Sequence, residues 1–198
     1  MSEALFELQE HKSDSYGPRT YLNASFSDVT IAFAVNFNTA GEILTEKAAK
    51  GRIIQIPLVK GISTKQAARA IFSEMRKNSW RTVNIAGNGM YTLRPEGITQ
   101  EHVNQAIYEV LSYVHHYWGI TRLRSGGQTG ADLAGAVAGM VLKIPSIITY
   151  PKGYRQRTAD GNDIIQSHDE ALDTIKRYAE KIVPLVHEPI NPPSETST

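Results

Sequence analysis

The sequence predicts an α/β protein with a Rossmann-like, mostly parallel sheet and helices on both faces. Three observations carry this. Short β-rich runs alternate with helix-patterned segments through most of the 198 residues, the order that strand–helix units of a parallel sheet produce. The runs are continuously apolar (DVTIAFAV, SIITY) rather than alternating, as strands covered on both faces are. A glycine-rich segment, SGGQTG at 125–130, stands between one such run and a helix, where open α/β sheets place their ligands.

The elements follow in order. Residues 1–15 are weakly patterned, and the segment YGPRTYLN at 16–23 reads as a polar loop. A strand spans 28–35, then the turn 36–41 leads into a short helix over 42–49, ended by Gly51. A second strand covers 52–58. Ser63 and Gln66 have capping-box spacing before a helix to Lys77. A third strand, 81–86, runs into the turn Gly87-Asn88-Gly89. Val103, Ala106, Ile107, Val110, Leu111 and Val114 set one apolar face of a helix over 99–117. A strand at 120–124 precedes the glycine-rich turn, and the helix after it, 128–142, is apolar on nearly every side and therefore deeply buried. A strand follows at 146–150. Ser167 and Glu170 form a second capping box before a helix to Lys181, and 182–186 reads as a last short strand. Residues 1–187 are expected to form a single ligand-binding domain. The Pro- and Ser-rich tail 188–198 is expected to be disordered.

Composition removes several function classes. The chain has no cysteine, which excludes disulfide frameworks, thiolate zinc sites and cysteine nucleophiles. Its 21 basic and 20 acidic residues give a net charge of +1, so no global basic field for nucleic acid exists. The first residues have mixed charge and no apolar core, unlike a signal peptide. The longest apolar stretch, 133–150, is broken by Lys143 and Pro145 and does not read as a membrane span. A cytoplasmic protein is expected, with a small nucleotide-type ligand as partner and a homo-oligomer left open. No membrane or nucleic-acid partner and no metal site are expected, since His11, His102, His115, His116, His168 and His187 show no ligand spacing.

The glycine-rich turn is the main candidate site. Gly126, Gly127 and Gly130 let the backbone turn sharply and leave room for a ligand. The helix start supplies free N–H groups and the positive end of a dipole, an anion site. Ser125, Gln128 and Thr129 can add side-chain hydrogen bonds, and Asp132 can accept from a ribose or an amino group. The turn is neither a Walker A loop nor a dinucleotide fingerprint. It reads as exposed, so Gly127→Asp is expected to abolish binding of a phosphorylated ligand without unfolding the chain. The turn 36–45, with Thr39, Gly41, Glu42 and Thr45, should lie beside it at the same carboxyl edge, near Asn88. Glu42 is either a carboxylate for chemistry at an anomeric carbon or a helix-start residue that favours the dipole. Lys152, Arg155 and Arg157 crowd the loop after 146–150, either as a flexible anion clamp or as solvated surface. Arg19 can bind phosphate bidentately.

SGGQTGAD followed by YPKGYRQRTADG resembles the molybdenum-cofactor carrier family of the SMF/DprA–LOG (SLOG) superfamily. Further motifs of that family match Tyr16, Arg19, Thr20 and Asn23, then Ser27, Asp28 and Thr30, then Gly41 and Thr45, and finally Trp80 and the run Asn84-Ile85-Ala86-Gly87. They stand in rotated order, before SGGQTGAD rather than after it. The chain therefore resembles a circular permutant, with the helix 99–117 joining the family's last strand to its first. Where the family has a Gly-Thr turn this chain reads Ala40-Gly41-Glu42. The resemblance implies Arg19, Thr20, Asn23, Gly41 and Thr45 as ligand-binding residues beside the glycine-rich turn, and Thr39, Asn88, Lys152 and Arg155 in the adjoining turns are expected to join them. It implies no certain cofactor, but a nucleotide or pterin-phosphate ligand. Three readings stay open: a binding or sequestering protein, a molybdenum-cofactor carrier, or an N-glycosidase or phosphoribohydrolase-type enzyme using Glu42 or Asp132.

Overall fold

The computed structural model describes residues 5–59 and 63–187. Among these, the chain forms β1 (Phe6–Glu10), α1 (Tyr16–Ser25), β2 (Val29–Ala34), α2 (Ala40–Ala49), β3 (Ile53–Pro57), α3 (Thr64–Lys77) and β4 (Thr82–Gly87). The short α4 (Met90–Leu93) and a 3-10 turn precede α5 (Gln100–Trp118) and β5 (Arg122–Ser125). Then come α6 (Ala131–Val141), β6 (Ser146–Tyr150), β7 (Gln156–Arg157), β8 (Asp163–Ile164) and α7 (His168–Ala179). The main sheet has the order β1-β6-β5-β4-β2-β3, and every pairing in it is parallel. The α/β class read from the sequence is the one observed.

Right-handed crossovers distribute the helices unequally. β1 to β2 and β2 to β3 advance along the sheet in one direction, and their helices α1 and α2 pack together on one face. The later connections run the other way and place α3, α5, α6 and α7 on the opposite face. That second face holds the main core, where Ile31, Phe33, Val83, Ile85, Leu123 and Ile148 meet Ile71, Ile107, Leu111 and Val137. Helix α6 is buried nearly throughout because α5 and α7 flank it and the sheet lies beneath it. Helix α7 starts with the full capping box of Ser167 and Glu170.

Four expectations need correction. The weakly patterned start contains β1, whose Phe6 and Leu8 alternate with Glu7 and Gln9, the pattern of an edge strand with one face wet. The expected loop 16–23 is helix α1. Pro18 falls in its first turn, where the missing N–H has no intrahelical acceptor to lose. The cationic loop after β6 folds into the β7–β8 hairpin. The expected strand at 182–186 does not form. Gln105 on α5 grips Val183 through both its N–H and its carbonyl, and the Tyr108 hydroxyl accepts from Leu185 N–H, so side chains rather than a strand satisfy this backbone. The tail 188–198 lies outside the described residues.

Candidate functional site

All strands of the main sheet point the same way, so the turns after β2, β4 and β5 share one edge. They open onto a cavity of about 440 Å³, within the range of small-molecule pockets. The start of α2 supplies Thr39, Gly41, Glu42 and Thr45. The end of β4 supplies Asn88, α1 supplies Arg19, Thr20 and Asn23, and the glycine-rich turn supplies Gly126, Gln128, Thr129 and Asp132. The two turns expected to face one another do so. Ser125, Gly127 and Gly130 lie behind this wall. Lys152 and Arg155 do not line the cavity, whereas Arg157 does.

Two carboxylates enter the cavity. Asp132, buried in the first turn of α6, pairs with Arg19 of α1 at 3.0 Å. Burial pushes its pKa up, and the guanidinium together with the Gln128 N–H pulls it back. Glu42 is only 5% exposed. Its carboxyl is pushed up to about 7, first by burial and then by the charge of Asp132, against a hydrogen bond from Asn88. Asn88 places that bond: its Oδ1 accepts from Val35 and Asn36 N–H at 2.9 and 3.0 Å, while its Nδ2 donates to Asn36 O and, at 3.3 Å, to Glu42 Oε1. Thr39 caps α2 by accepting from Glu42 N–H, and the Thr45 hydroxyl donates to Gly41 O one turn back. Thr20 donates likewise to Tyr16 O. Two buried atoms facing this region lack hydrogen-bond partners among the described residues, Arg19 Nε and Asn23 Oδ1. Asn23 holds the turn through its other amide atom, which donates to Ser125 O at 3.0 Å.

The side chains expected to bind ligand from the glycine-rich turn have internal partners instead. The Ser125 hydroxyl lies 2.9 Å from Ile85 O and 2.7 Å from Asp132 O, tying β5 to β4 and α6. Gln128 donates to Arg155 O and accepts from Arg157 N–H, and Thr129 donates to Arg157 O at 2.7 Å. Gln156 donates back to Gly127 O at 2.7 Å. The turn and the β7–β8 hairpin are thus one hydrogen-bonded unit. The expected cation clamp is partly neutralised, since Arg155 and Arg157 both pair with Asp163, which also accepts from Tyr16. Burial, and then that carboxylate, hold the Tyr16 hydroxyl up at about 12, so it stays a donor.

Two glycines explain why the turn has this composition. A Cβ on Gly126 would overlap the Arg19 guanidinium and the Asp132 carboxylate, so the ion pair crosses the turn only because residue 126 has no side chain. Gly127 sits at φ +70 with its Cα against the Tyr150 ring. The turn is buried here, not exposed as expected. Gly127→Asp is therefore no clean probe of ligand binding. Gly127→Ala already combines left-handed strain with a ring clash, and is expected to lower thermal stability by several degrees with or without ligand. A melting curve that matches wild type would show the turn to be more open than this.

Tyr16, Asn84, Tyr91 and Arg157 also line the cavity. Of these, Tyr91 escaped the sequence reading, and Asn84 entered it only through the matching run Asn84-Ile85-Ala86-Gly87 and not as a site residue.

The family model described as the circularly permutated YpsA SLOG family matches residues 1–109. The chain belongs to that family. Membership in the SLOG superfamily and the rotated order of the motifs are thereby shown. The match carries Arg19, Glu42 and Asn88 and stops before the glycine-rich turn. No curated protein matches the chain. Among the described residues no helix is long and apolar enough to cross a membrane, and no group of three or more His, Asp and Glu side chains could hold a metal ion.

Proposed function

We propose that the cavity binds a phosphate-bearing nucleotide or nucleotide-derived small molecule, held as by a binding or sequestering protein. One observation carries this: the starts of α2 and α6 converge on the same cavity, and between them stand a buried carboxylate–guanidinium pair and a second carboxylate. The start of α2 offers amide N–H groups to phosphate, whereas at the start of α6 the N–H groups of Gly130, Ala131 and Leu133 already donate to Gln100 Oε1, Asn88 O and Gln128 O. Carboxylates beside these helix starts suit the hydroxyl groups of a ribose, which they accept from. Arg19 Nε and Asn23 Oδ1 offer one further donor and one acceptor to the ligand. The similarity to molybdenum-cofactor carriers makes a pterin phosphate the other ligand of this class to try.

A second reading is favoured by Glu42 alone. A carboxyl poised at about 7 can give or take a proton at neutral pH, which a group acting at an N-glycosidic bond requires. Native mass spectrometry of purified full-length protein, followed by calorimetry with AMP, tests the first reading. Affinity is expected to fall as pH rises from 6 to 8, because ionising Glu42 adds negative charge beside the phosphate. A pH-independent affinity would place the phosphate away from Glu42. Product analysis tests the second. Glu42→Gln should cut turnover at least ~100-fold while changing affinity less than about tenfold. Tight binding with no turnover of any nucleotide leaves the binding protein as the function.

A further inference from the structure

We propose that the sheet face left uncovered beside α1 is the interface of a twofold dimer of this chain, in which Arg124 of one copy meets Glu7 of the other. The register sets the geometry. Arg124 on β5 pairs with Ile147 on β6, and Ile147 pairs with Glu7 on β1. The three side chains therefore stand in one row across the sheet. Adjacent strands lie about 4.8 Å apart, so the two charges are roughly 10 Å from each other with Ile147 between them. This is the face of α1 and α2, and α2 sits at the far end over β2 and β4.

Arg124 demands an acceptor. It is 9% exposed, yet its Nε and one terminal nitrogen are buried without a hydrogen-bond partner among the described residues. Its guanidinium lies 5.0 Å from the ring of Phe26, which is itself 60% exposed. Leu5, on the same side of the sheet as Glu7 by strand alternation, is 63% exposed. A buried cation with open donors, flanked by bare apolar side chains and with an exposed carboxylate in the same row, forms a self-complementary patch. An isologous contact brings residue i against residue j and j against i. A twofold axis through Ile147 places Arg124 against Glu7 twice and closes Phe26 and Leu5 away from water. The positions of the charges favour a second copy: Glu7, which already attracts Arg124 across the row within one chain, meets the other copy's Arg124 directly when the same row is presented in reverse.

Sedimentation velocity on the full chain tests this. Wild type is expected to dimerise, and Glu7→Arg or Phe26→Lys, both at exposed positions, to weaken the dimer at least ~10-fold in Kd. The charge swap Glu7→Arg with Arg124→Glu is expected to restore it. A wild type that is monomeric at about 100 µM overturns the proposal, and so does a dimer indifferent to Glu7→Arg and Phe26→Lys. If the swap fails to fold by circular dichroism, those two single variants decide the matter.

Discussion

Glu42→Gln is expected to make the protein more stable at pH 8 by up to about 3 kcal/mol, and to leave it nearly unchanged at pH 4.5. The sign follows from the direction of the shift. The carboxyl titrates near 4.5 in an open chain and at about 7 in the fold. Below pH 4.5 it is protonated in both states, and its stabilising contribution is fully present. As pH rises towards 7 the unfolded chain releases the proton while the fold retains it, so stability falls with pH. Above 7 the loss is complete, at about 3 kcal/mol for this displacement. Glutamine keeps an oxygen for Asn88 Nδ2 and removes the buried charge. Thermal melts at the two pH values read this directly, with a difference of roughly 6–12 °C at pH 8 for a domain of this size. Equal melting temperatures at pH 8 would show that Glu42 ionises without cost. A residue that destabilises the fold it sits in is a mark of a site kept for use rather than for folding.

Arg19 and Asp132 call for the opposite experiment. Each is buried and each is the other's charge partner. Arg19→Met leaves the carboxylate without its guanidinium, and is expected to cost about 3–5 kcal/mol in urea denaturation at pH 7. Asp132→Leu strands the cation instead, with a similar cost. The double variant Arg19→Met with Asp132→Leu removes both charges and should be clearly less damaging than the sum of the singles. Additive losses would show that solvent reaches the pair and screens it.

The elements legible in the sequence were those whose own pattern sufficed. The apolar runs gave β2 to β6, the caps Ser63 and Ser167 marked the starts of α3 and α7, and the apolar face from Val103 to Val114 marked α5. Both turns of the cavity were read correctly as neighbours, because parallel strands force them to one edge. What stayed illegible depends on distant partners. β1 is a strand because β6 offers it a ladder, not because five residues with three polar ones prefer one. Gln128 and Thr129 looked like ligand-binding side chains, but their acceptors are the carbonyls of Arg155 and Arg157, in a hairpin that two-residue strands do not announce. Arg19 was read as a candidate phosphate ligand, a reading that the resemblance strengthened. Nothing local in YGPRTYLN shows that its charge is spent on Asp132.

The pairing of β1 with β6 bears on how the chain comes to be folded. Gln9 and Thr149, joined by a hydrogen bond, stand 140 residues apart, so the first strand made is among the last to find its neighbour. During synthesis β1 has no edge to join until Tyr150 has left the ribosome, whereas β2, β3 and β4 can assemble earlier among themselves. Closing so long a loop is slow, and it leaves an unpaired strand edge exposed meanwhile. The expected order of assembly of the main sheet is thus from the middle of the chain outward, with β1 docking as its final strand. In pulse-labelling refolding experiments the amides of Glu7 to Glu10 should acquire protection after those of β2 and β4.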